Sequence, residues 1–200
     1  CVVDMSSFYL DIIKDRLYTE KADSVARRAA QTTMYYILDA LVKILTPMIS
    51  FTAEEIWSAM NHTEKENVES PMLADYPVPN DEWDNKEIAE KWEKIIKVKN
   101  IVAKDLELAR AEKTIGNSLD AKVTIYAEGE EYKFLKENEE LIKLVLIVSG
   151  LEIQENNRKQ EEKLGVKVEH ATGEKCERCW MYNDHLEDGL CPRCKEVLEK

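Results

Sequence analysis

Glycine and proline are scarce here, at six and five of 200 residues. With 44% hydrophobic residues alongside, that scarcity excludes a chain made mainly of disordered linker and leaves enough apolar matter for a core. Long apolar runs are also missing. None approaches the ~20 residues that a membrane span needs, and no signal peptide is evident. Basic charge is in short supply: Lys and Arg total 28 against 40 Asp and Glu, a net charge of −12. Generic nucleic-acid binding rests on cations facing phosphates, so the bulk balance speaks against it, and any such contact must be local and shape-directed. The acidic excess at 128–140 and 152–163 reads as solvated surface.

Catalytic signatures are absent too. The sequence holds no Gly-x-x-x-x-Gly-Lys phosphate loop, no Gly-x-Ser-x-Gly elbow and no His-Glu-x-x-His, which argues for a binding piece rather than a catalytic one. Cys1-Val2-Val3-Asp4 lacks an initiator Met and runs straight into an apolar pattern. The chain therefore reads as cut from something longer, with Cys1 an incidental thiol, and as cytoplasmic.

What is present is chemically pointed. Two Cys-x-x-Cys pairs, Cys176/Cys179 and Cys191/Cys194, stand with eleven residues between them. Two thiolates at i and i+3 in a tight turn can face one ion, and two such knuckles complete a tetrahedral sulfur shell, the geometry of structural zinc. A closed shell leaves no position for water, so a single Zn2+ here is architectural. Two disulfides or a redox dithiol are the alternatives; the doubled spacing favours zinc. Arg178 and Arg193 each precede the second cysteine of a knuckle, flanked by Lys175 and Lys195. They either neutralise the thiolates from outside the shell or reach a phosphate or base edge. Trp180 either packs on a neighbouring unit or offers a stacking platform for an unpaired base. His185, His170 and His62 read as surface, strand-end and loop residues rather than ligands. Arg27 and Arg28, followed by Gln31, form either a patch for an anionic partner or a solvated helix face, and Asp15-Arg16 reads as ion pairs within the helices.

Helical periodicity runs over 4–19, with Phe8, Ile12, Ile13 and Leu17, and over 24–45, ending before Pro47. A third helix follows, with Thr52 and Glu55 in capping-box spacing. A polar connection at 61–86 holds Pro71, Pro77 and Pro79, and a fourth helix spans 85–113. Helices of this length predict a bundle with a shared core. Beyond Gly116 the period changes: strand at 122–126, helix at 131–143, strand at 144–148 and 151–153 broken at Gly150, a charged stretch at 154–163, and a short strand at 166–170. The expected fold is mainly α: a helical bundle (1–115), a small α/β unit (116–171) and a four-cysteine zinc-knuckle module (172–200).

Several stretches resemble a known family. "DIIKDRLYTE", "LTPMISFTAEEIW" and "PMLADYP" are similar to the anticodon-binding helical region of class I aminoacyl-tRNA synthetases for branched aliphatic amino acids. "EKTIGNSLDAKVTIY" and "GEKCERCW…LCPRC" narrow the resemblance to the bacterial-type isoleucyl enzymes, over about residues 5–198. The resemblance implies a partial anticodon-binding bundle and a zinc-bearing tail of an otherwise monomeric enzyme that joins isoleucine to tRNA(Ile) with ATP. The family's ATP-handling signatures, His-x-Gly-His and Lys-Met-Ser-Lys-Ser, are absent, so ATP and isoleucine would bind elsewhere in the whole protein and this piece would be inactive alone. It further implies that Arg178 and Trp180, which match the family's Cys-x-Arg-Cys-Trp motif, meet the anticodon loop. The eleven-residue interval between knuckles is shorter than the family's. Two other readings stand beside this one: the four-cysteine finger of a DNA-repair glycosylase, and a purely structural zinc-stapled tail.

Overall fold

The computed structural model describes residues 1–63, 68–156 and 164–199. Most of the charged stretch expected at 154–163 lies outside the described residues. In chain order the elements are a π-helical segment Val2–Tyr9, α1 Leu10–Ile12, α2 Lys14–Thr19, α3 Val25–Leu45, α4 Ser50–Ala59, α5 Lys86–Ala111, β1 Ala121–Ala127, α6 Gly129–Glu137, α7 Glu139–Leu146, β2 Gly150–Glu155, β3 Gly165–His170, β4 Glu174–Lys175, β5 Tyr182–Asn183 and α8 Pro192–Leu198. The mainly helical class with a small mixed sheet is as expected. Among the described residues no helix is long and apolar enough to cross a membrane.

The helices fall into two compact units, one of residues 1–20 with 86–200 and one of 21–85. In the 21–85 unit, Ser24 caps α3 by accepting from Arg27 N at 3.1 Å. Trp57 is fully buried with Val42 and Ala53, and its indole N–H donates to Val68 O at 3.0 Å. The capping box at Thr52 does not form. Helix α4 begins two residues earlier, and Ser50 Oγ turns back to donate to Thr46 O at 3.0 Å. The tight turn after Pro47, with Met48 N and Ile49 N both donating to Leu45 O, sets the start of α4 before Thr52 is reached.

The larger unit is organised by β1. It pairs with β2 in parallel, Lys122 opposite Gly150 through Ala127 opposite Glu155, and with β3 antiparallel, Ala121 opposite His170 through Tyr126 opposite Gly165. A parallel pair needs a crossover, and α6 and α7 supply it. Val123 and Ile125 are fully buried. Helix α5 contributes Ile95, Val98, Val102, Leu106 and Ala109, a stripe at three- and four-residue spacing, and packs on β3 and α7. The helix expected at 131–143 is longer and broken: Asn138 separates α6 from α7, its Nδ2 donating to Phe134 O at 2.7 Å. The strand expected at 144–148 is the last turn of α7, stopped by Ile147 in the left-handed region (φ 55°). A short buried apolar run fits either structure by pattern alone, and here Val145, Leu146 and Val148 are all buried. Gly150 opens β2 rather than breaking it. The helix expected at 4–19 is likewise segmented, passing from π to α geometry and interrupted at Ile13.

Candidate metal centre and nucleic-acid interface

Directly after β3, Ala171 N donates to Asp120 O at 2.7 Å, and Gly173 turns the chain at φ 84°. A Cβ there would sit 2.3 Å from Asn183 O, so glycine is required where β4 meets β5. Ser149 Oγ accepts from Tyr182 N at 2.7 Å, tying this hairpin to the sheet.

Backbone bonds build the two knuckles. Trp180 N donates to Cys176 O at 2.9 Å and Cys176 N to Met181 O at 3.0 Å, closing the turn that holds Cys176 and Cys179. The second knuckle starts α8: Cys191 is the N-cap position, Pro192 the first helical residue and Cys194 in the first turn. Between the knuckles, Glu187 and Leu190 exchange two backbone hydrogen bonds around Asp188 and Gly189. Both central residues have positive φ, 52° and 77°, the geometry of a type I′ turn, for which Asp-Gly is a favoured pair. Glu177 N then donates to Gly189 O at 3.0 Å, stitching the turn to the first knuckle.

These turns bring all four sulfurs within 4.8 Å of one another. Cys179 and Cys191 are 3.8 Å apart, sulfur to sulfur. Four sulfurs at ~2.3 Å from a central ion stand about 3.8 Å from each other, whereas a disulfide needs about 2.05 Å. All five cysteines are free thiols. The donor set fits a metal ion and can hold one; His185 is not part of it. Burial opposes ionisation of Cys176, Cys179 and Cys194. At Cys176 the N–H groups of Cys179, Cys191 and Arg178 outweigh it and bring the pKa down to about 6. Burial prevails at Cys179, pushed up to about 12, and pushes Cys194 up as well. Four thiolates together therefore call for a cation among them.

Arg178 and Arg193 both reach out of the cluster to α2. Arg178 Nη1 donates to Thr19 O at 2.7 Å, satisfying an orphan carbonyl at the helix end. Arg193 is bidentate to Asp15, at 2.6 and 2.8 Å. Arg178 also favours the ionised form of Cys194 against its burial, and Cys179 adds to Asp15 in favouring the charged form of Arg193. Burial opposes the Asp15 charge, yet the guanidinium holds its carboxyl below the ordinary value. Asp15, read from sequence as pairing within the helices, instead pairs with the cysteine module. Asp15 and Thr19 were not singled out as site residues, and nothing local in "KDRLYT" marks either as a partner for residues near 180.

Trp180 is 61% exposed and sits at φ 63°, a region bulky side chains avoid. The Lys175 ammonium lies 5.9 Å from its ring centroid and 6.0 Å from that of Tyr182, and 3.6 Å from Asp120 Oδ1. Asp120 is fixed in turn by Gly116 N and Asn117 N, at 3.1 and 2.9 Å. Elsewhere, Arg28 bonds Gln31 at 3.4 Å. His62 lies in its loop as expected, half-buried against Trp57 with ring centroids 4.2 Å apart.

Residues 1–125 match the family described as the anticodon-binding domain of tRNA ligase. Over its whole length the chain is 47% identical to the isoleucine–tRNA ligase of Caldanaerobacter subterraneus subsp. tengcongensis, covering 23% of that protein. It is 50% identical to that of Caldicellulosiruptor saccharolyticus, covering 22%, and 46% identical to that of Carboxydothermus hydrogenoformans, covering 22%. The chain thus spans less than a quarter of the length of the relatives it matches. With most of its residues inside the matched region and its full length aligned to these ligases, the chain belongs to the anticodon-binding domain family of tRNA ligases.

Proposed function

We propose that this chain is the anticodon-gripping part of a cytoplasmic, monomeric isoleucine–tRNA ligase that charges tRNA(Ile) with isoleucine using ATP. Residues 1–115 act as a partial anticodon-binding bundle, 116–171 as a junction unit and 172–200 as a zinc module. Cys176, Cys179, Cys191 and Cys194 hold one structural Zn2+, a closed-shell ion suited to four tetrahedral thiolates. Trp180 stacks on an unpaired base of the anticodon loop, and Arg178 uses donors beyond the one given to Thr19 O to meet the same loop. ATP and isoleucine bind in other parts of the whole enzyme, so this chain alone is inactive. Stacking and edge contacts to unpaired bases suit a protein whose bulk charge is negative. Family membership sets the DNA-repair reading aside.

One observation carries the reading: an indole exposed at a backbone angle bulky residues avoid, at the lip of a four-sulfur cluster. Such an outlier points to a selected position. Its test is Trp180→Ala in the full-length ligase. Cognate tRNA binding should fall while isoleucyl-adenylate formation is spared; equal tRNA affinity would overturn the stacking role. The bonds from Arg178 and Arg193 to α2 favour a second reading, in which the module is only a staple, and that reading expects the equal affinity.

A further inference from the structure

The two knuckle arginines share a geometry that a tip made only for RNA does not require. Each stands immediately before a ligand cysteine, so its backbone is placed by the gathering of the sulfurs. Each guanidinium donates to an acceptor on α2, Arg178 to Thr19 O and Arg193 to the Asp15 carboxylate. The two acceptors, the Asp15 carboxylate and the Thr19 carbonyl, lie one helical turn apart, and Thr19 Oγ joins them by donating to Asp15 O and Oδ1 at 2.8 and 2.9 Å. Helix α2 is six residues long, too short to persist without tertiary support. Its neighbour Ile13 is 1% exposed, which anchors the chain entering α2; Arg193 then holds the first turn at Asp15 and Arg178 the last residue, Thr19.

We propose that metal occupancy of the four-cysteine cluster orders α2, with Arg178 and Arg193 as the positioning residues that transmit it. The inference rests on the reading of the four cysteines as a metal site. A bound cation holds the sulfurs together, the gathered cysteines hold the two neighbouring arginines in place, and these fix α2 at Asp15 and Thr19. Loss of the ion lets the knuckles part and frees Asp15 and Thr19. Coupling of this kind is reciprocal: if the metal orders α2, removing the α2 anchor must weaken the metal by the same factor, although Asp15 is no ligand.

The test uses the 200-residue chain loaded with Zn2+. Elemental analysis comes first, and a chain that takes up no zinc overturns the metal reading and the coupling with it. With one zinc bound, amide hydrogen exchange is followed before and after chelation. Amides of Lys14–Thr19 should exchange at least about tenfold faster without metal while β1 and β3 keep their protection; unchanged α2 exchange overturns the proposal and leaves the metal reading intact. Should chelation unfold more of the chain, Asp15→Asn decides. By competition with a chromophoric chelator its zinc affinity should fall about tenfold, with faster α2 exchange in the zinc-loaded state. Affinity within about twofold of the parent overturns the coupling.

Discussion

The Arg193 guanidinium grips both oxygens of the Asp15 carboxylate, at 2.6 and 2.8 Å, across 178 residues of chain. Planar two-pronged contacts of this type combine charge with fixed geometry, which a lysine at the same place would not supply. Removing either partner is expected to destabilise the larger unit by about 1–2 kcal/mol, because a partly buried charge loses its bonds. Urea denaturation of Asp15→Asn followed by far-UV circular dichroism measures it.

The same pair sets a pH dependence. The Asp15 carboxyl is held below its ordinary value of 3.8, so the folded state favours the ionised form. Its contribution is complete above that ordinary value and is lost as pH falls through the depressed folded value. The stability gap between the parent and Asp15→Asn should therefore be constant from neutral pH to about pH 5 and shrink below about pH 4. Urea midpoints of the two chains, taken at each pH in zinc excess that saturates both, report the gap.

Zinc binding should release protons and strengthen with pH. Cys179 is pushed up to about 12 and Cys194 is raised, while Cys176 is already near 6. At neutral pH the first two give up protons when a cation arrives, and affinity falls as acid restores them. Calorimetric zinc titrations in buffers of different ionisation enthalpy report the proton count, and an enthalpy independent of buffer would contradict it.

Trp180→Gly separates stability from recognition. Glycine accepts φ 63° without strain, while its greater freedom in the unfolded chain offsets that relief. Stability should stay within about 1 kcal/mol of the parent. Binding of tRNA by the full-length ligase should weaken by roughly 5- to 150-fold, the range expected for one lost base stack. Thermal unfolding of the zinc-loaded chain and filter binding supply the two readouts.

The two turn glycines should differ in their sensitivity. At Gly173 an added Cβ would lie 2.3 Å from the Asn183 carbonyl oxygen, whereas at Gly189 it meets the end of the Glu177 side chain at 2.9 Å. Backbone cannot step aside; a glutamate can. Both positions have positive φ, so both alanines carry backbone strain; Gly173→Ala, with the backbone clash added, is expected to destabilise more than Gly189→Ala, and both by more than about 1 kcal/mol. Thermal midpoints of the zinc-loaded variants check the order.

Local signals in the sequence carried far. The cysteine spacing pointed to the cluster, Ser24 marked the start of α3, and the alternation around Val123 and Ile125 pointed to β1, because each depends on neighbours within a few residues. Leu144–Val148 misled because both a buried strand and a buried helix turn present unbroken apolar residues, and only Ile147 with its positive φ decides. Thr52 had the right spacing for a cap, but the turn at Pro47 had already begun the helix. The Asp15–Arg193 bond was out of reach for a different reason: no pattern in either segment encodes a partner at the far side of the chain. Nor did anything in "CERCW" announce that Trp180 would take a left-handed backbone; that follows from the knuckle closing on Cys176 O and is visible only in coordinates.

Helix α2 and the knuckle that secures it are made at widely separated times. Asp15 leaves the ribosome 178 residues ahead of Arg193, which at common elongation speeds is roughly 10–35 s. Throughout that interval the "KDRLYT" segment has no guanidinium to hold it, and it waits again until the sulfurs have found their ion. A late stretch of synthesis thus completes a much earlier one, and newborn chains starved of metal would carry an unfastened segment for as long as the shortage lasts.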